Sequence, residues 1–60
     1  MIWVTDALTG NKVALNPDYI IAVFIAPDGE HKGSTAINLI NGQIIVQETD
    51  LEIVASLKAN

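Results

Sequence analysis

The chain contains no cysteine and no arginine, and each absence excludes a class of structure or partner. Without cysteine, neither a disulfide nor a thiolate-bound metal can reinforce a domain of 60 residues, so its stability must come from packing and self-association. Without arginine, three lysines stand against seven acidic residues, giving a net charge of −4. Since nucleic-acid binding depends on neutralising phosphates with Lys and Arg, this composition disfavours nucleic acid as a partner of the whole surface.

Long apolar runs are also missing, because no segment approaches the roughly 20 apolar residues that a membrane-spanning helix needs. No basic, apolar leader follows Met1, which argues against a signal peptide. Half of the residues are nevertheless hydrophobic, which is too apolar a composition for intrinsic disorder. We therefore expect one domain over residues 1–60, located in the cytoplasm and without a membrane partner.

The most informative segment is residues 19–26, eight residues without a charge. Its β-branched and aromatic side chains favour a strand that is apolar on both faces. A 60-residue domain buries only about 60% of its unfolded surface, so it has little material to cover both faces. The segment therefore predicts a closed barrel, a subunit interface, or both. The candidate oligomer-interface residues are Tyr19, Ile21, Val23 and Ile25.

Turn residues divide the chain into five short strands and one helix. Asn41-Gly42 predicts a hairpin with a type I′ turn, and Thr49 with Glu52 forms a capping box that begins the helix. The expected strands are residues 1–5, 12–15, 19–26, 34–40 and 43–47, and the expected helix is residues 50–58. The fold class is therefore mainly β: a small five-stranded antiparallel barrel of the SH3 or Sm type with a short C-terminal helix, and an open meander with the helix across one face is the competing interpretation.

The predicted helix carries apolar residues that need a covering surface. Leu51, Val54, Ala55 and Lys58 share one stripe, and Ile53 and Leu57 lie beside it. We expect the face that contains Leu51, Val54 and Leu57 to dock on the barrel or on a neighbouring subunit.

No constellation of residues predicts catalysis, a cofactor or a metal site. His31 is the only histidine and lies in a polar loop without cysteine or other ligand companions, so we interpret it as a solvated loop residue. The three candidate partner contacts are Trp3, which should point away from Ile2 and Val4, and the scattered lysines Lys12 and Lys32. We expect a non-enzymatic protein.

Four segments resemble the small flagellar and swarming motility proteins of the FlbD type. They are residues 5–10 (Thr-Asp-Ala-Leu-Thr-Gly), 15–20 (Leu-Asn-Pro-Asp-Tyr-Ile), 35–42 (Thr-Ala-Ile-Asn-Leu-Ile-Asn-Gly) and 46–49 (Val-Gln-Glu-Thr). Members look like a strand, a Leu-x-Gly turn, a Leu-Asn-Pro-Asp segment, a Thr-x-Ile-x-Leu hairpin and a final helix. The resemblance implies a self-assembling module that binds a protein partner, as a motility accessory protein would.

The strand count and the two-faced third strand also resemble the Sm-like proteins, which are five-stranded barrels that assemble into rings and often bind RNA. This weaker resemblance implies an alternative function, a homo-oligomeric ring that binds RNA or other nucleic acid at its pore. Lys12 or Lys32, present once in each subunit, would then concentrate positive charge around that pore.

Overall fold

The computed structural model describes residues 1–59 and is mainly β, with one C-terminal helix as predicted. The elements are β1 (Ile2–Thr5), β2 (Lys12–Leu15), a one-turn 3-10 segment (Pro17–Tyr19), β3 (Ile20–Ile25), β4 (Thr35–Leu39), β5 (Gly42–Val46) and α1 (Asp50–Ala59). The strands and the helix start and end within one residue of their predicted bounds. The 3-10 segment was not predicted.

The five strands form two antiparallel sheets, β1-β2 and β3-β4-β5. A single bridge between Asp6 and Val46 joins the sheets, supported by a hydrogen bond from the N–H of Gln47 to the carbonyl of Thr5 at 2.9 Å. Within residues 1–59 no ladder joins β2 to β3, so the predicted closed five-stranded barrel is not seen. The physical reason lies between these strands, where Pro17 begins the 3-10 turn and has no N–H to give to a ladder.

The core lies between the two sheets and the helix. Its fully buried members are apolar residues from β1, β2, β4, β5 and α1, namely Ile2, Val4, Leu15, Ile37, Val46 and Ile53. Partly buried side chains, including Val13, Val23 and Leu57, pack around them. Because α1 packs against both β3 and β1, its buried Ile53 closes one side of the core.

β3 lies at one edge of the three-stranded sheet, and its two apolar faces are covered in different ways. Val23 is paired with Ile37 and packs against the core. On the opposite face, Phe24 is paired with Ala36, and both line a cavity of about 270 Å³ together with His31 from the polar loop. The loop of residues 27–33 therefore lies beside the outer face of β3, an arrangement that the sequence analysis did not consider.

A bulge interrupts the pairing of β3 with β4. Ile20 is paired with Leu39 and Ala22 with Asn38, so Ile21 has no partner residue in β4. An extra residue in one strand bends it and redirects its side chain, and the Ile21 side chain is 66% exposed.

The hairpin between β4 and β5 forms where Asn41-Gly42 predicted it, but its turn type differs. Leu39 pairs with Gly42, so the two connecting residues are Ile40 and Asn41. Residues 1–59 contain no non-glycine residue with positive φ, whereas a type I′ turn needs positive φ at both central positions. The type I′ prediction was wrong, because Gly42 takes a strand position and is not a central turn residue.

The Thr49 cap at the start of α1 is confirmed, and the Glu52 carboxylate reaches back to the Thr49 hydroxyl, where a full capping box uses the Thr49 N–H. The N–H of Glu52 donates to the Thr49 hydroxyl oxygen at 3.1 Å, and that hydroxyl donates to the Glu52 carboxylate at 3.2 Å.

Of the face predicted to dock on the barrel or on a neighbouring subunit, only Leu57 packs on the core of its own chain, and docking of Leu51 and Val54 on a neighbouring subunit stays a prediction. Ile53 is 1% exposed and Leu57 packs on the core, whereas Leu51 is 76% exposed and Val54 is also exposed. Apolar residues lie around much of this short helix, so their spacing does not select one face. The helix face that packs on the core is the one that contains Ile53, because Ile53 fits into the core cluster.

Candidate protein-binding surface

The edge of β3 that faces away from β4 is an open strand edge. The N–H of Ala26 donates to the Ser34 carbonyl and its carbonyl accepts from the Gly33 N–H, both at 2.9 Å. Main-chain groups of neighbouring residues in a strand alternate between its two edges, so those of Ile25 and Val23 point away from β4. β4 is the one strand paired with β3 in residues 1–59, which leaves this row of donors and acceptors available.

The predicted oligomer-interface residues lie along β3 or immediately before it, but they do not share one environment. Tyr19, Ile21 and Ile25 are exposed, and Ile25 has 44% of its surface accessible. Val23 is half-buried and packs against the core. The exposed three supply apolar surface beside the open edge, and Val23 contributes its main chain to that edge.

Trp3 lies on the outer face of the β1-β2 sheet, where it is paired with Ala14. Its side chain is 66% exposed, while Ile2 and Val4 are buried, so the prediction that Trp3 points away from them is confirmed. A large exposed aromatic residue with a small neighbour is a good contact for a partner.

Lys12 and Lys32 lie in separate environments. The Lys12 ammonium donates to the Thr5 hydroxyl oxygen at 3.0 Å. Lys32 is exposed in the loop between β3 and β4, where its N–H donates to the Gly29 carbonyl at 3.3 Å.

Glu48 holds the two sheets together in a way that the sequence analysis missed. One of its carboxylate oxygens accepts from the Thr5 N–H and the other from the Thr5 hydroxyl, both at 2.8 Å. Burial would raise the pKa of Glu48, but the hydrogen bonds from Thr5, one from its own backbone and the charge of Lys12 outweigh burial and lower the pKa below 4.5. One feature of the sequence could have pointed to this role of Glu48. Helix capping accounts for Glu52 and the helix dipole accounts for Asp50, whereas neither accounts for Glu48.

Among residues 1–59, no group of three His, Asp or Glu side chains is placed to hold a metal ion. Within the same residues, no helix has the length and apolar character to cross a bilayer.

A cavity of about 410 Å³ is lined by Ile25 and Thr35 on one side and by Glu48, Thr49 and Asp50 on the other. Its two carboxylates have assigned structural roles, since Glu48 binds Thr5 and Asp50 begins α1, where a negative charge stabilises the helix dipole. The geometry of this cavity therefore indicates no acid–base pair.

Comparison of the chain with protein-family models, curated proteins and solved structures finds no match in any of the three.

Proposed function

We propose that this chain is a non-enzymatic module that assembles with copies of itself and binds a protein partner, in the manner of a motility accessory protein. The observation that carries the proposal is the open edge of β3, an uncharged strand with exposed Ile21 and Ile25 beside unpaired main-chain groups. Open apolar edges pair readily with other strands, and proteins normally blunt them with charge or bulges or cover them; in β3 a bulge lies at Ile21. Here no charged residue occurs in β3.

The amount of exposed apolar surface supports the same proposal. Nine large hydrophobic residues are exposed among residues 1–59, and those that lie together on one element can contact other proteins. They include Trp3 on the β1-β2 sheet, Ile21 and Ile25 on β3, and Leu51 and Val54 on α1. Because they are spread over three elements, one surface can serve self-association while another, with Trp3, contacts the partner.

The proposal includes an open, barrel-like architecture related to the SH3 or Sm type, in which β2 and β3 are not paired. The bridge between Asp6 and Val46 and the packing of α1 on β1 and β3 support this relationship. The proposal also includes a cytoplasmic location, since a chain without cysteine gives no sign of a disulfide-bonded secreted scaffold.

A ring that binds nucleic acid is the less favoured alternative. The Lys12 ammonium is already engaged by Thr5 and lies in the field of the Glu48 carboxylate. The net charge of −4 opposes the approach of phosphates.

Light scattering coupled to size exclusion tests the self-association. We expect the native protein at micromolar concentration to have a mass well above the 6.4 kDa of one chain. Ile21→Asp should lower that mass, because it adds a charge at the open edge of β3. The matched control is Ile40→Asp, which changes an equally exposed isoleucine in the β4-β5 turn and should leave the mass unchanged. A folded native monomer of 6.4 kDa would refute the proposal.

A further inference from the structure

The turn between β4 and β5 carries a site of spontaneous chemical modification. We propose that Asn41 converts to aspartate and isoaspartate through a cyclic imide formed with the main-chain nitrogen of Gly42. Asparagine is among the thermolabile residues of proteins, and its reactivity depends on the residue that follows it and on its surroundings. The reaction uses one exposed turn and needs neither a partner nor the assembly proposed above.

The reaction balances with water as its only co-reactant. The main-chain nitrogen of Gly42 loses its proton and attacks the side-chain carbonyl carbon of Asn41, which forms a C–N bond. The side-chain nitrogen of Asn41 leaves as ammonia and carries the proton away. Water then opens the five-membered imide at one of its two carbonyl carbons, so the main chain is restored through either the α-carbonyl or the side-chain carbonyl. The first product is aspartate and the second is isoaspartate.

The turn leaves the attacking nitrogen unhindered. Asn41 is exposed and is the second of the two residues that connect β4 to β5. Gly42 has no side chain beside its nitrogen, and apart from its chain neighbours no atom lies within 4 Å of the position that a Cβ would occupy. The Leu39–Gly42 pair is the last of the β4-β5 ladder, and pairing at the end of an element opens at little free-energy cost. The Gly42 nitrogen can therefore reach Asn41 without displacing core atoms.

Two other asparagines are held in place by the fold. Asn16 precedes Pro17, whose nitrogen has no proton to lose, and its side-chain oxygen accepts from the Asp18 N–H at 3.0 Å. Asn38 is half-buried in β4, and its side-chain oxygen accepts from Gln43 Nε2 at 2.9 Å. Both side-chain carbonyl groups are therefore turned to other partners.

Asn11 is the closest match to Asn41 and serves as an internal reference. Both residues are exposed, and each precedes the first or second residue of a strand at a turn. Within residues 1–59, neither side chain makes a hydrogen bond. The difference is the next residue, since Lys12 carries a side chain beside the nitrogen that would have to attack, and that side chain is bonded to the Thr5 hydroxyl at 3.0 Å.

The modification should loosen the end of the hairpin. Isoaspartate inserts an extra methylene into the main chain next to Gly42, whose pairing with Leu39 closes the ladder. The adjacent N–H of Ile40 donates to the Tyr19 carbonyl at 3.0 Å, which ties the turn to the segment before β3. Either product also adds a carboxylate to a chain whose net charge is already −4.

Incubation of the folded full chain at mildly alkaline pH, followed by peptide mass spectrometry over days, tests the proposal. Conversion of amide to acid at Asn41 should be several-fold faster than at Asn11, and fragmentation should detect both isoaspartate and aspartate at position 41. Asn41→Gln should remove the fast conversion, because its longer side chain would have to close a less favourable six-membered ring. Asn11→Gln is the matched control and should leave the conversion at Asn41 unchanged.

The two products separate the imide route from simple hydrolysis, which gives aspartate alone. Aspartate without isoaspartate at position 41, equal rates at Asn41 and Asn11, or an Asn41 that stays intact while Asn11 converts would each overturn the proposal. None of these outcomes bears on the mass of the assembly, so the proposed self-association is tested separately.

Discussion

Removing the Glu48 carboxylate should destabilise the protein more than removing any exposed acid. In Glu48→Ala, the Thr5 N–H and hydroxyl lose acceptors that lie at 2.8 Å, and Thr5 is only 9% exposed. The variant also removes the carboxylate charge that attracts the Lys12 ammonium. The loss falls at the junction of the two sheets, where few other bonds connect them.

The magnitude follows from the type of bond. A hydrogen bond to a charged group contributes about 1.5–3 kcal/mol, and solvent can replace part of it here because Glu48 is only half-buried. We therefore expect Glu48→Ala to lower the free energy of unfolding by about 2 kcal/mol, out of roughly 3–9 kcal/mol for a domain of this size. For so small a domain each kcal/mol shifts Tm by about 4–8 °C, which gives a decrease of roughly 8–16 °C.

Thermal unfolding followed by circular dichroism at pH 7 measures this difference, with protein concentration held constant because assembly also affects Tm. Glu30→Ala is the matched control, because it removes the same charge from an exposed loop residue and should shift Tm by only a degree or two. Thr5→Val separates the contributions, since it removes the hydroxyl and keeps the N–H bond to Glu48. Equal Tm values for Glu48→Ala and Glu30→Ala would refute the reasoning.

Three further outcomes are expected. Because folding lowers the pKa of Glu48, its stabilisation should be complete above pH 4.5 and be lost as the pH falls through the lowered value; Glu48→Gln should remove this part of an acid titration followed by urea unfolding. Ile53→Ala should cost about 2–5 kcal/mol by opening a core cavity, whereas Leu51→Ala, in the exposed part of α1, should stay within about 0.5 kcal/mol; similar values from chemical denaturation would contradict the docking face. Labelled RNA and duplex DNA should bind weakly at physiological salt, and submicromolar binding with a steep salt dependence by fluorescence anisotropy would favour the ring alternative.

Local features of the chain were predictable because neighbouring residues determine them. The cap at the start of α1 depends only on Thr49 and Glu52, three residues apart, and the predicted bond from the Glu52 N–H to the Thr49 hydroxyl oxygen forms. The alternation of Ile2, Trp3 and Val4 places Trp3 outside because successive residues of a strand point to opposite faces. Strand positions followed from β-branched runs bounded by turn residues.

Features that depend on distant partners were not predictable. The Glu48 carboxylate accepts a hydrogen bond from Thr5, which lies 43 positions earlier in the chain, and no local sequence pattern predicts this pair. The docking face of α1 was decided by whether Ile53 or Leu51 fits beside β1 and β3, since both are apolar and belong to the same short helix.

By itself, the sequence determined a small acidic mainly β domain with five strands, a capped C-terminal helix, and a third strand too apolar for an ordinary surface. The tertiary structure decided how that strand is used. The loop of residues 27–33 lies beside one face, the core covers the other, and the outer edge stays open with Ile21 and Ile25 beside it. The physical reason is that residue spacing determines which side chains share a face, whereas only packing among distant segments determines which faces and edges are covered.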